Sequence, residues 1–238
     1  NTTGTSNTAA GYASLTSNTT GEANTAFGRD ALYANTTADN NTAVGHDTLT
    51  ANTTGSSNNA FGAESMQTNT TGNQNCAFGR QSLKTNNGDY NNAFGHQTLE
   101  SNTTGTQNVA IGLNSLYANT TGSYNVAIGH AALTTSTTTS NNTAVGHEAM
   151  TSTSTGALNA AFGYKAMRNN TTGTRNTGIG YQALEDNTTG YYHTALGYSA
   201  MEAGQGVGSV ALGYKAMENG GGNYNCCVGY QAGNAITT

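Results

Sequence analysis

The side chains of this chain that could do chemistry recur in columns. His130 and His147 stand 17 residues apart, and tyrosines continue the same column at Tyr164, Tyr181, Tyr198, Tyr214 and Tyr230. Tyrosines stacked in this way would form a contact strip for a sugar or a protein, or they would stack on one another and shield an edge. The two histidines could share a metal, but no carboxylate or cysteine completes a set at known ligand spacing. Acidic residues such as Asp30, Asp47, Glu64, Glu185 and Asp186 are scattered, and no G-G-x-G-x-D calcium pattern occurs. No paired-carboxylate or nucleophile–base motif is present. The expectation is a protein that is not an enzyme and has no catalytic set, metal site or cofactor.

A second column is Asn-Thr-Thr, beginning at Asn1, Asn18, Asn35, Asn52, Asn69, Asn102, Asn119, Asn170 and Asn187. Stacked, it would present a flat array of threonine, the geometry of an ice-binding surface. It also matches the N-x-T glycosylation pattern. The plainer reading is solvated turn chemistry. The array lapses at Ser136, Thr153, Gly204 and Gly220. The cysteines, Cys76, Cys226 and Cys227, take positions that other copies fill with small residues, so they read as packing and not as a disulfide framework.

What must position these columns is a repeat. The unit is N-T-T-G-x-x-N-T-A-Φ-G-x-x-A-L-x-x, with Φ large and apolar, and its cleanest copy runs from Asn18 to Ala34. The Gly after Φ recurs 14 times from Gly11 to Gly229, at steps of 17 with three steps of 16. Four residues before it stands Asn in 12 of 14 copies, with His193 and Ser209 as the exceptions, so this column is under a strict physical demand. Two before is almost always Ala, and four after is Leu or Met in all copies but the last, where Gly233 stands. Fixed-period self-similarity marks a quasi-one-dimensional fold whose units bury their apolar columns against each other.

The turn-rich, Gly-punctuated, β-branched content predicts an all-β repetitive β-solenoid, or β-roll, of 14 coils. At a coil spacing of about 4.8 Å that makes a rod roughly 65 Å long. Each coil carries one short strand over N-x-A-Φ, and the segment after the Gly is either a second strand or one short helical turn. The Asn column, Asn7, Asn24, Asn41, Asn58, Asn75, Asn108, Asn125, Asn142, Asn159 and Asn176, becomes a ladder of side-chain amides. The Φ column, including Phe27, Phe61, Phe78, Phe94, Ile111, Ile128 and Phe162, becomes an apolar spine. Positions one and three before the Gly share a face because the side-chain period in a strand is two. The large column is expected to fill the coil interior. The opposite, Ala-bearing face would then be covered by another part of the coil or by another subunit, which is the internal argument for an oligomer.

Composition agrees with stacked strands. Pro and Trp are absent, Gly numbers 32, and only 8% of residues are charged, well below the usual value of about 25%. Pro would remove ladder donors. A net charge of −5 with no basic run argues against nucleic-acid binding. No apolar stretch approaches the roughly 18 residues that argue for membrane insertion. Residues 1–238 read as a single continuous array. It begins and ends in phase, at Asn1 and at Thr237-Thr238, and is expected to be a slice of a longer chain.

Runs such as Asn176-Thr177-Gly178-Ile179-Gly180-Tyr181-Gln182-Ala183-Leu184, followed by Asn187-Thr188-Thr189-Gly190, resemble the repeat region of phage-type tail fibre proteins. The resemblance covers the whole chain and its 17-residue phase. More distantly, Asn108-Val109-Ala110-Ile111-Gly112 and Ser209-Val210-Ala211-Leu212-Gly213 are similar to the repeat of trimeric autotransporter adhesin heads, which use a shorter coil. Both resemblances imply a homotrimeric, elongated β-structure, located extracellularly or on the virion surface. The expected function is the structural rod of an extracellular fibre, a tail fibre shaft or a surface adhesin or filament. Its partners would be further copies of itself, as a trimer or filament, and a cell-surface receptor or glycan. The alternative is a ligand-binding solenoid that takes ice or carbohydrate.

Overall fold

The computed structural model describes residues 1–234 and 236; the closing Thr237-Thr238 corner of the sequence reading lies outside them. The chain divides into two compact units, Asn1–Gly122 and Ser123–Thr238. The first holds β1 (Thr8–Ala10), β2 (Thr25–Phe27), β3 (Thr42–Val44), β4 (Asn59–Phe61), β5 (Cys76–Phe78), β6 (Asn92–Phe94) and β7 (Val109–Ile111). The second holds β8 (Val126–Ile128), β9 (Thr143–Val145), β10 (Ala160–Phe162), β11 (Thr177–Ile179), β12 (Thr194–Leu196), β13 (Val210–Leu212) and β14 (Cys226–Val228). Within each unit, consecutive strands pair in parallel with each repeat position opposite its counterpart, for example Ala26↔Ala43 and Ala161↔Gly178. This is an all-β solenoid with a 17-residue repeat, and no helix occurs among the described residues.

The segment after the repeat Gly is therefore neither a helical turn nor a second strand. It is a run of turns in which the core Leu or Met adopts a left-handed backbone, as at Leu32 (φ 51°), Leu83 (φ 51°) and Met167 (φ 53°). Forty of the described non-glycine residues have positive φ. At about 1–2 kcal/mol each, their conformational cost would total roughly 40–80 kcal/mol. That exceeds the net stability of a domain, about 5–15 kcal/mol, several times over. Local propensity cannot hold such a path, so the neighbouring coil must impose it. The backbone bonds show how: Leu32 N–H donates to Thr48 O at 3.0 Å, and Leu83 N–H to Thr98 O at 3.0 Å. This also explains why the column is Leu or Met and never Ile or Val. A β-branched side chain at positive φ is a steric outlier.

The interior is small. In each unit the Ala column lies against the Leu/Met column, and both are fully buried, as at Ala43, Ala110, Ala144, Leu49, Leu99 and Met150. The large Φ column is outside, which overturns the expected interior. Phe27, Phe78, Phe94, Ile111 and Phe162 are exposed, and Phe61 and Ile128 are half-buried. The shared face of positions one and three before the Gly is correct, but it points outward. A 17-residue coil has room for one Leu or Met packed on Ala, and a Phe in the same section would overpack it. The Ala face is thus covered by its own coil, and the argument for a partner moves to the opposite face.

The repeat Gly has two reasons. At Gly163 φ is +139°, and an added Cβ would lie 2.3 Å from Gly180 O of the next coil. The inner Asn column is buried and ties each coil to the next. Asn41 N–H donates to Asn24 Oδ1 at 2.9 Å, and Asn41 Nδ2 donates to Gly55 O at 2.9 Å. The expected amide-to-amide ladder is thus mainly amide-to-backbone, with side-chain links at Asn75–Asn58 and Asn108–Asn91, both 3.1 Å.

Leu83→Met is expected to be tolerated, because Met fills the same column elsewhere. Leu83→Ile conserves volume, a change that usually costs less than about 1.5 kcal/mol. Here it should cost more, because the branch meets a positive φ; urea denaturation of the two variants measures the difference.

Candidate functional site

The outer surface of the coils carries three ordered columns, and each follows from the inward–outward alternation above. On the strand face of the first unit, Phe61 stacks on Phe78 with ring centroids 4.5 Å apart and planes at 8°. Phe78 stacks on Phe94 at 5.1 Å and 6°. Beside them, three before the Gly, stand Thr25, Thr42, Asn59, Cys76, Asn92 and Val109. In the second unit the same face carries Ile128, Val145, Phe162, Ile179, Leu196, Leu212 and Val228. Neither face bears a charge at these positions.

The second column is the aromatic one of the second unit. His130 meets His147 at 4.9 Å and His147 meets Tyr164 at 5.4 Å. The tyrosines follow at 5.0, 4.8, 5.3 and 5.2 Å, from Tyr164 through Tyr181, Tyr198 and Tyr214 to Tyr230. Their planes are nearly parallel, at 2° to 17°. Each inner ring therefore covers its neighbours' faces, and what the strip offers outward is ring edges and hydroxyls. A sugar that packs on a ring face finds those faces occupied. Lys165 and Lys215 lie over the Tyr164 and Tyr214 rings at 5.0 and 5.9 Å.

His130 Nδ1 and His147 Nε2 are 3.2 Å apart and hydrogen-bonded to each other. One nitrogen must donate and the other accept, which engages both. Among the described residues no group of three His, Cys, Asp or Glu is placed to hold a metal ion. An open depression of the first unit is lined by Tyr12, Ala13, Asp30, Tyr33 and Thr50.

The third column is the Asn-Thr-Thr corner, and here the solvated-turn expectation fails for the Asn. Asn18, Asn35, Asn52, Asn69, Asn86, Asn102 and Asn119 are buried. They form the side-chain amide ladder that the sequence pattern predicts for the inner column: Asn35 Nδ2 donates to Asn18 Oδ1 at 2.8 Å and Asn52 Nδ2 to Asn35 Oδ1 at 3.0 Å. Each also closes its corner, as when Asn52 Nδ2 donates to Gly55 O at 2.9 Å. At these buried positions the folded corner does not present its N-x-T amides for glycosylation. The first Thr of the corner ties its hydroxyl to the next coil, Thr19 Oγ1 donating to Thr36 O at 2.9 Å, and the second, such as Thr20, Thr37, Thr54 and Thr71, is exposed. The signal for this second ladder was present in the sequence: the Asn recurs as strictly as its Gly three residues on.

Sequence reasoning also missed a polar ladder on the first unit. Glu64 Oε2 accepts from Lys84 Nζ and Gln81 Nε2, both at 2.8 Å, and Gln97 Nε2 donates to Gln81 Oε1 at 3.2 Å. The bonds from Lys84 and Gln81 hold the Glu64 carboxyl down to about 2. The three cysteines are free. Cys226 is exposed, Cys76 is half-buried with its thiol pushed up by burial, and Cys227 lies in the Ala column.

No protein-family model and no curated protein sequence matches the chain. No helix of the described residues is long and apolar enough to cross a membrane.

Because its folded-state pKa lies below the unfolded value, Glu64 stabilises the fold above about pH 4.5. That contribution is lost as pH falls toward 2. Lys84→Met should raise the Glu64 pKa toward the ordinary carboxylate value in an NMR titration. It should change stability at neutral pH by no more than about 1 kcal/mol, as expected of a surface pair.

Proposed function

We propose that this chain is a structural repeat protein whose outward strand faces pack against further copies of itself, as the shaft of an extracellular fibre. A β-solenoid is compatible with a structural or a ligand-binding role, and one observation favours the first. The strand face of each unit presents apolar residues coil after coil, with Phe27, Phe78, Phe94, Ile111 and Phe162 exposed and no charge among them. Contiguous exposed apolar surface of this kind marks an interaction site. Its period is that of the fold, so the surface best matched to it along its length is a second copy in the same register. The resemblance to tail fibre repeats and adhesin heads supports reading that assembly as a homotrimer, on a virion or cell surface, that projects and attaches.

The role is mechanical. Ladders of buried backbone and Asn bonds stiffen each coil against the next, while the outer columns vary. The ring edges and hydroxyls of the tyrosine strip, together with the exposed corner threonines, remain available at the surface of such a fibre for hydrogen bonds to a receptor or glycan. The exposed rank of Thr20, Thr37, Thr54 and Thr71 favours a second reading, an ice-binding face. Thermal hysteresis that is lost on Thr54→Lys would establish it.

Sedimentation and light scattering should give three times the chain mass. The double variant Phe78→Glu, Phe162→Glu should sediment as a monomer with unchanged far-UV circular dichroism. A wild-type chain that is monomeric at micromolar concentration would overturn the assembly reading.

A further inference from the structure

We propose that His193 is an acid-operated release point in the inner ladder of the second unit: protonation of its Nδ1 removes the acceptor for the Ser209 N–H and opens the ladder between β12 and β13. The two departures from the inner Asn column, His193 and Ser209, are consecutive rungs. The acceptor chain nevertheless runs through them. Asn176 Oδ1 accepts from His193 N–H at 2.9 Å, His193 Nδ1 accepts from Ser209 N–H at 3.2 Å, and Ser209 Oγ accepts from Asn225 N–H at 3.1 Å. A backbone N–H can only donate, so Nδ1 must carry its lone pair and the imidazole must be neutral, with its proton on Nε2.

Asn and Ser hold their acceptor oxygens at every ordinary pH. His193 is the one rung of this ladder that titrates near neutrality. It is 1% exposed, and no hydrogen bond of ordinary geometry reaches its Nε2, although the Gly206 backbone lies against the ring. A proton on Nδ1 would set N–H against N–H and leave a charge in a buried site. The groups that face the ring are Asn176 of the preceding coil, Asn187 and Gly190 of its own, and Ser209 and Gly206 of the next. None carries a charge that would stabilise the imidazolium, and burial outweighs the backbone groups of Ser209 and Gly206, which favour the charged ring, so that the pKa lies below its ordinary value. The corner amide column offers no support at this step either, since Gly204 and Gly220 follow Asn187 in it.

The sign follows. The folded-state pKa lies below the unfolded value of about 6.5, so the rung stabilises the ladder above that pH. The contribution declines as pH falls below about 6.5 and is gone once the lowered folded value is passed. In that window the opening constant of the seam rises about tenfold per pH unit. The device is independent of the assembly reading, because it lies in the interior of a single chain.

The test is NMR on the full chain, following the His193 ring and the exchange of the Ser209 amide from pH 7.5 to 5, beside His193→Asn. The variant restores the residue found in the other rungs. The expected result is a ring that titrates below about 6.5. The Ser209 opening constant, corrected for intrinsic exchange, should rise about tenfold per pH unit in the wild type and stay flat in the variant. Equal pH slopes in the two proteins would overturn the proposal. So would a ring that titrates at or above its ordinary value while Ser209 stays protected. Should His193→Asn fail to fold, the wild-type ring titration and Ser209 exchange decide by the same criteria.

Discussion

The whole architecture depends on hydrogen bonds from one coil to the next. Within each unit nearly every turn of the backbone is closed by a neighbour's carbonyl, as in Leu49 N–H to Ser65 O and Met150 N–H to Ala166 O, both 3.0 Å. These bonds hold Leu and Met at positive φ, a backbone state those residues avoid when alone. A single coil therefore has no stable conformation of its own. It acquires one from the coil beside it, which is the physical content of repeat cooperativity.

That dependence explains the strictest columns. Most coils bury two Asn, because each amide is both donor and acceptor and fits a position where a stacked backbone leaves one of each. The inner Asn accepts at its Oδ1 from the next backbone N–H, and the corner Asn of the first unit, from Asn18 to Asn102, accepts at its Oδ1 from the next Asn amide. Buried polar groups on this scale are stable only when satisfied. The Gly column is equally constrained, since a Cβ at Gly163 would strike the carbonyl of the coil beside it. The outer columns answer to no such demand, which is why Phe, Ile, Val and Leu interchange at one position and Tyr, His, Arg and Leu at another.

Much of this was legible in the sequence. Period, strand position, the stacking of the inner Asn column and the Leu/Met column all follow from the spacing of Gly28, Asn24 and Leu32 and their counterparts. The faces of the strand were not legible. Phe27 and Ala26 each suit an interior, and hydrophobicity alone favours Phe. The decision rests on the width of the coil, which depends on the turn run after the Gly, and five residues such as Tyr181–Glu185 do not disclose that their backbone alternates into the left-handed region. The corner Asn was misjudged for a related reason. Asn-Thr-Thr-Gly has the composition of an exposed turn, and only stacking shows that its Asn points inward. Of the candidate sites, the tyrosine column was readable as a stack, but not the consequence that stacking closes the ring faces.

The central claim is that Ala lines the interior and Φ the exterior, and chemical denaturation of two single variants in one coil tests it most directly. Ala144 is fully buried and Val145 beside it faces outward. Ala144→Leu should lower stability by about 1–3 kcal/mol or more through overpacking. Val145→Phe should leave it nearly unchanged, since Phe162 holds that place in the next coil. The reverse order, with Leu accepted at 144 and Phe damaging at 145, would place the large column inside and contradict the account.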